Sequence, residues 1–117
     1  MQTFKDLDVW KKSVLFASDI YRTTKQFPKE ELYGLSSQMQ RASVSISSNI
    51  AEGSKRAKNE FIHFIRISQG SAAELETQLF IAHNLGYVNK VTLSEYVQKI
   101  EDINKMLSKL YQSLHDR

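Results

Sequence analysis

Four long stretches with an alternating three-and-four spacing restrict this chain more than any other feature. The first stripe runs through Leu7, Trp10, Val14, Ala17 and Tyr21, the second through Leu35, Met39, Ala42, Ile46, Asn49 and Gly53. The third passes through Phe61, Ile65, Ser68, Ala72, Leu75, Leu79 and Ala82, and the fourth through Val97, Ile100, Ile103, Leu107, Leu110 and Leu114. Such steps keep side chains on one face of an α-helix, whereas a strand turns every second residue to the same face. Four Gly and one Pro in 117 residues leave few places for the tight turns of a sheet. The spacing therefore predicts an all-α chain.

The punctuation predicts the boundaries. Helix one should end before Gln26-Phe27-Pro28, and helix two should follow Pro28 with Gly53 as its terminator. Helix three should run from about Lys58 to Asn84 with Gly86 as its cap. Helix four should open at Thr92-Leu93-Ser94-Glu95, which has the spacing of a capping box. Each helix reaches roughly 30 Å at 1.5 Å per residue, and short connections force neighbours to run antiparallel. The expected fold is an antiparallel up-and-down four-helix bundle, with residues 1–117 as one domain. Helix two carries Ala42, Ser43, Ser45, Ser47, Ser48 and Ala51, so other helices can approach its axis closely. A chain of this length buries roughly two thirds of its unfolded surface, enough to need no staples, and it contains no Cys.

Several function classes are excluded by what the sequence lacks. Met1-Gln2-Thr3-Phe4-Lys5-Asp6 has neither the basic start nor the apolar run of a signal peptide, and no apolar stretch approaches the roughly 20 residues of a membrane span. A cytoplasmic protein with no membrane partner is expected. Nucleophilic catalysis finds no Cys and no Gly-x-Ser-x-Gly elbow, and Gly53, Gly70 and Gly86 stand too far apart to cradle a phosphate. Glu60-Phe61-Ile62-His63 has the Glu-x-x-His step of di-iron bundles, but no second such step exists, and His83 lies about 200° around the helix from His63. The expectation is a protein with no catalytic residues, no metal and no cofactor.

Helix three carries Phe61, Ile62, Phe64, Ile65 and Ile67, then Leu79, Phe80 and Ile81, and helix one carries Val14, Leu15, Phe16 and Ala17. Consecutive helical residues point about 100° apart, so these runs spread apolar surface beyond the stripe one core can use. They predict a homo-oligomer.

Polar residues also fall at regular steps. Gln38, Arg41, Ser45, Asn49 and Glu52 share a face of helix two, as do Ser71, Glu74 and Gln78 on helix three. Two such stripes form either a ligand site or an interhelix or intersubunit hydrogen-bond network, with Arg41 paired to Glu74 or Glu52 and Asn49 bonded across helices. Basic residues gather at Lys55-Arg56-Ala57-Lys58, and helix one adds Lys11 and Lys12 with Lys5, Arg22 and Lys25. The net charge is only +3. An oligomer would nevertheless repeat this cluster around its axis and present Lys11, Lys12, Lys55, Arg56 and Lys58 to RNA or DNA without reading sequence. The other reading is a structural or protein-interaction scaffold whose positive charge is incidental.

A family resemblance runs through nearly the whole chain. Phe4-x-x-Leu7-x-Val9-Trp10, Phe27-Pro28-x-Glu30-x-x-Tyr33-Gly34-Leu35-x-x-Gln38-x-x-Arg41-Ala42-x-x-Ser45-Ile46-x-x-Asn49-Ile50-Ala51-Glu52-Gly53, Phe61-x-x-Phe64, Gly70-Ser71-x-x-Glu74-Leu75-x-x-Gln78-Leu79 and Leu85-Gly86-Tyr87 resemble the bacterial intervening-sequence proteins. These four-helix proteins are encoded within inserts in bacterial 23S ribosomal RNA genes and elsewhere in bacterial genomes. The family is similar to the accessory variability determinants of diversity-generating retroelements, basic pentameric barrels that associate with reverse transcriptase and nucleic acid. The resemblance implies a homopentamer, a nucleic-acid-associated role and a reverse transcriptase as a partner.

Overall fold

A computed structural model describes residues 3–116; Met1, Gln2 and Arg117 lie outside the described residues. A 3-10 turn, Phe4–Asp6, leads into α1 (Asp8–Thr24); a second, Lys29–Glu31, precedes α2 (Leu35–Ser54), α3 (Lys58–Asn84) and α4 (Lys90–His115). No strand occurs among the described residues. Thr3 and Asp6 close the first turn reciprocally, the Thr3 hydroxyl accepting from the Lys5 N–H while the Asp6 carboxylate accepts from the Thr3 N–H.

The end of α3 agrees with the sequence. Gly86 adopts φ +83°, and the N–H groups of Gly86 and Tyr87 donate to the carbonyls of His83 and Ala82, both at 2.9 Å, a Schellman closure. Two other boundary expectations are corrected. Asn89, not Thr92, caps α4: its side-chain oxygen accepts from the Thr92 N–H at 2.8 Å, placing Thr92-Leu93-Ser94-Glu95 already inside the helix. Gly53 does not terminate α2, which continues through Ser54. A Cβ at Gly53 would stand 2.6 Å from the Phe64 Cβ and 3.0 Å from a Phe61 ring carbon, so its missing side chain is where α3 comes closest.

Side-chain contacts establish the directions of the helices. Ser68 donates to the Ile46 carbonyl at 2.9 Å, and Gly53 meets Phe61 and Phe64, so numbers rise on α2 as they fall on α3. Gln69 reaches Ser108 while Arg66 covers Tyr111, which sets α3 against α4. Asp19 accepts from Lys99, and Thr23 hydrogen-bonds Tyr96 further along, returning α4 to α1. Lys55 lies over the Phe4 ring while Gln40 donates to Thr24, so α1 and α2 also oppose each other. The four antiparallel helices form an array of 46 × 24 × 20 Å.

The core takes its members from all four: Phe16 and Ile20, then Met39, Ile46 and Ile50, then Ile65, Leu75 and Leu79, then Ile100, Ile103 and Leu107. Each such side chain contributes about 1.5–3 kcal/mol relative to exposure, which offsets the ordering of the helices. The apolar runs divide as their angular spread requires. Phe16 and Ala17 are buried, whereas Leu15 remains 67% exposed; Phe61 and Ile65 are buried, whereas Phe80 and Ile81 stay 47% and 45% exposed.

Candidate functional site

The positive end of the array is assembled from separate elements. The start of α1, the α2–α3 connection, the first turns of α3 and the last turns of α4 lie together, as the Lys55–Phe4 and Arg66–Tyr111 contacts record. Lys11, Lys55, Arg56 and Lys58 are exposed and Lys12 is half-buried. Their charges are not equally available. Arg56 reaches Glu52 at 3.1 Å and Glu60 at 3.5 Å, and Lys12 lies 3.8 Å from Asp102. Lys58 has a partner of its own. Among the described residues no carboxylate stands within 4.0 Å of Lys5, Lys11, Lys55, Arg66, Lys105 or Lys109.

Arg66, Lys105 and Lys109 were absent from the sequence-derived basic set. Their signal lay in tertiary pairing: α4 returns antiparallel to α3, so Lys109 comes toward the same end as Arg66, while Lys105 stands level with the middle of α3. Arg66 also lies 3.7 Å over the Tyr111 ring, and Tyr111 stacks on His115 with centroids 5.6 Å apart. Cation and ring faces together match the chemistry by which proteins hold unpaired bases and backbone phosphates.

The polar stripes meet in a different place. Gln38, Arg41, Ser45, Glu74 and Gln78 line, with Ala42, a cleft of about 360 Å³ between α2 and α3. Asn49 and Glu52 are not among its lining residues. The expected pairing is corrected: Arg41 has no carboxylate within 4.0 Å among the described residues, and Glu52 is taken by Arg56. Asn49 bonds within its own helix, donating to the Ser45 carbonyl at 2.7 Å, and not across helices. Gln78 is only 7% exposed, and its side-chain oxygen is buried without a hydrogen-bond partner. An unsatisfied buried acceptor costs about 1–3 kcal/mol, so Gln78, in the wall of the cleft, carries an unmet demand for a donor.

No group of three or more His, Asp or Glu able to hold a metal occurs among the described residues. Glu60, from the Glu-x-x-His step, faces Arg56, and His63 packs edge-on to Phe64. No described helix is long and apolar enough to cross a membrane.

The chain is similar to known proteins over most of its length. Residues 5–109 match the model of the 23S rRNA-intervening sequence protein family. A protein of unknown function from the S23 ribosomal protein family of Bacteroides thetaiotaomicron, whose crystal structure was solved at 1.70 Å, superposes with a TM-score of 0.82 at 26% identity. The match covers 89% of this chain and 95% of that one. No curated protein matches the chain.

Proposed function

Because the chain belongs to the 23S rRNA-intervening sequence protein family, we propose that it acts as a non-catalytic homo-oligomeric four-helix bundle, a homopentamer, whose repeated basic end holds RNA or DNA weakly and without sequence preference. The observation that carries this reading is the set of cations without a carboxylate partner toward one end, Lys5, Lys11, Lys55, Arg66 and Lys109, beside the half-buried Tyr111 and the exposed His115 stacked on it. One copy presents a modest field. A ring multiplies it, and each phosphate neutralised releases counterions.

Two observations support association of copies. Leu15, Phe80, Ile81 and Val91 leave large apolar surface in water on α1, α3 and α4. A further apolar groove follows α1 and α2 past Val14, Ala17, Tyr21 and Val44. A cyclic assembly needs two different faces that fit each other, and the chain exposes apolar surface both along the α1–α2 groove and on α3 and α4. The family resemblance supplies the number five and a reverse transcriptase as a candidate companion of the assembly. The cytoplasm is the compartment this reading assigns.

Light scattering should give a mass several times the 13.5 kDa of one chain; a monomer at micromolar concentration would defeat the oligomer. An anisotropy titration with single-stranded RNA should lose roughly a thousandfold in affinity between about 50 and 200 mM salt if six phosphates are neutralised. Binding untouched by Lys55→Glu with Arg66→Glu would favour the scaffold reading, to which the neutralised Arg56 and Lys12 already lend support.

A further inference from the structure

The α2–α3 cleft combines unused donors and acceptors. The Ser68–Ile46 hydrogen bond sets the register. Glu74, six positions beyond Ser68, comes level with Gln40, six before Ile46, and so lies beside Arg41. Gln78 comes one turn further along, at the level of Ser36 and Gln38. The cation and the carboxylate thus share one cleft with no ion pair between them. The buried end of Gln78 is unpartnered between the same walls.

The lining excludes several ligands. A single guanidinium opposed by a carboxylate repels a phosphate dianion as much as it attracts one. One carboxylate is too few for a structural cation. No aromatic ring lines the cleft, so a nucleobase would have no face to stack on. Apolar ligands find only Ala42. What remains is a small molecule that carries both charges.

We propose that this cleft binds a small zwitterion of the free α-amino-acid class. Arg41 takes the carboxylate through its planar fork, and Glu74 takes the ammonium. The Gln78 amide, which turns about its last side-chain bond to present either donor or acceptor, completes the ammonium's contacts. Ser45 supplies a further donor beyond Arg41 at the carboxylate end, and the Gln38 amide, level with Gln78, a further acceptor at the ammonium end. The volume of about 360 Å³ lies at the small end of ligand sites. This site is independent of the basic end and stands or falls separately from nucleic-acid binding.

Saturation-transfer NMR on the full-length protein tests the proposal, with glycine and glutamine as probes and acetate, methylamine, N-acetylglycine and guanosine monophosphate as comparators. The amino acids should receive saturation at millimolar concentration, and the singly charged comparators should not. Arg41→Gln and Glu74→Gln should each weaken binding by roughly tenfold or more, since each removes one charge-assisted contact. No transfer to either amino acid would overturn the proposal, and so would equal transfer to acetate or methylamine. Preferential transfer to guanosine monophosphate would also overturn it. So would a fall in sedimentation coefficient for Arg41→Gln with no ligand effect in the parent protein, which would assign the cleft to a subunit contact. The probe panel on the unaltered chain decides the matter even if a variant fails to fold.

Discussion

The Tyr87 hydroxyl donates to Glu31 at 2.9 Å, joining the residue that closes α3 to the turn that precedes α2. The other oxygen of Glu31 accepts from the Leu35 N–H at 3.3 Å, at the first residue of α2. One carboxylate therefore serves a helix start and an interloop tether, while the Tyr87 ring packs 5.1 Å from Phe27.

Tyr87→Phe keeps the ring and removes the tether. The bond is to a charged acceptor, but solvent reaches this site and screens it, so its loss should destabilise the fold only modestly. Thermal denaturation followed by circular dichroism should show a loss of several degrees with the helical signal intact. An unchanged midpoint would mean that water replaces the tyrosine without loss.

Gly53 and Gly70 both lie inside helices, yet alanine should act on them in opposite directions. At Gly53 the added Cβ meets the Phe64 Cβ at 2.6 Å, and overpacking of this kind costs about 1–3 kcal/mol. At Gly70 nothing lies within 4 Å, and Ala gains up to about 1 kcal/mol over Gly in a helix interior. Chemical denaturation of the two variants should give midpoints on either side of the parent's.

Gln78→Leu removes the unpartnered buried oxygen and leaves a side chain of similar size. Exchanging a buried unsatisfied group for an apolar one is neutral or stabilising, so the midpoint should hold or rise by an amount of the order of 1 kcal/mol. A loss of stability would show that a partner satisfies this amide in the assembled protein.

Stability should fall on the alkaline side. The hydrogen bond to Asp19 raises the Lys99 pKa above its ordinary 10.5, against the opposing effect of burial, and the hydrogen bond to Glu31 raises that of Tyr87 above 10.0. Both folded-state values exceed the unfolded ones. The two contributions are thus intact at neutral pH and vanish as pH climbs through the raised values. Melting temperatures should decline above about pH 10, and Tyr87→Phe should flatten part of that decline. Ultraviolet titration should find Tyr87 among the last phenols to ionise.

Sequence periodicity located the helices, and α3 ends at Asn84 as Leu85-Gly86-Tyr87 indicates, because a positive φ at Gly and apolar spacing are local properties. The start of α4 was misplaced because two patterns competed. Thr92 and Glu95 have the capping-box spacing, but Asn89 offers its side chain three residues earlier and wins. Same-face spacing brought Gln38, Arg41 and Ser45 together with Glu74 and Gln78, yet it could not reveal whether Arg41 and Glu74 touch, since the rotation of one helix against another is a tertiary quantity. The neutralisation of Arg56 was legible: Glu52 and Glu60 stand four residues to either side. That of Lys12 by Asp102 was not, because it spans the first and last helices.

The Ser68–Ile46 hydrogen bond and the Gly53 contact with Phe61 and Phe64 are spaced along the two helices: Ile46 and Gly53 lie seven residues apart on α2, about 10 Å along the axis, and on α3 Ser68 stands seven residues from Phe61 and four from Phe64. Three hydroxyls of α2 itself hold no neighbour in place: Ser43, Ser47 and Ser54 donate to carbonyls of their own helix. The pair therefore works like two pins through two rulers. Sliding α3 by one turn would unseat both at once, pushing a phenylalanine off the glycine notch and leaving a buried hydroxyl facing the wrong rung. The alignment of α3 on α2 is thereby fixed at two separate points.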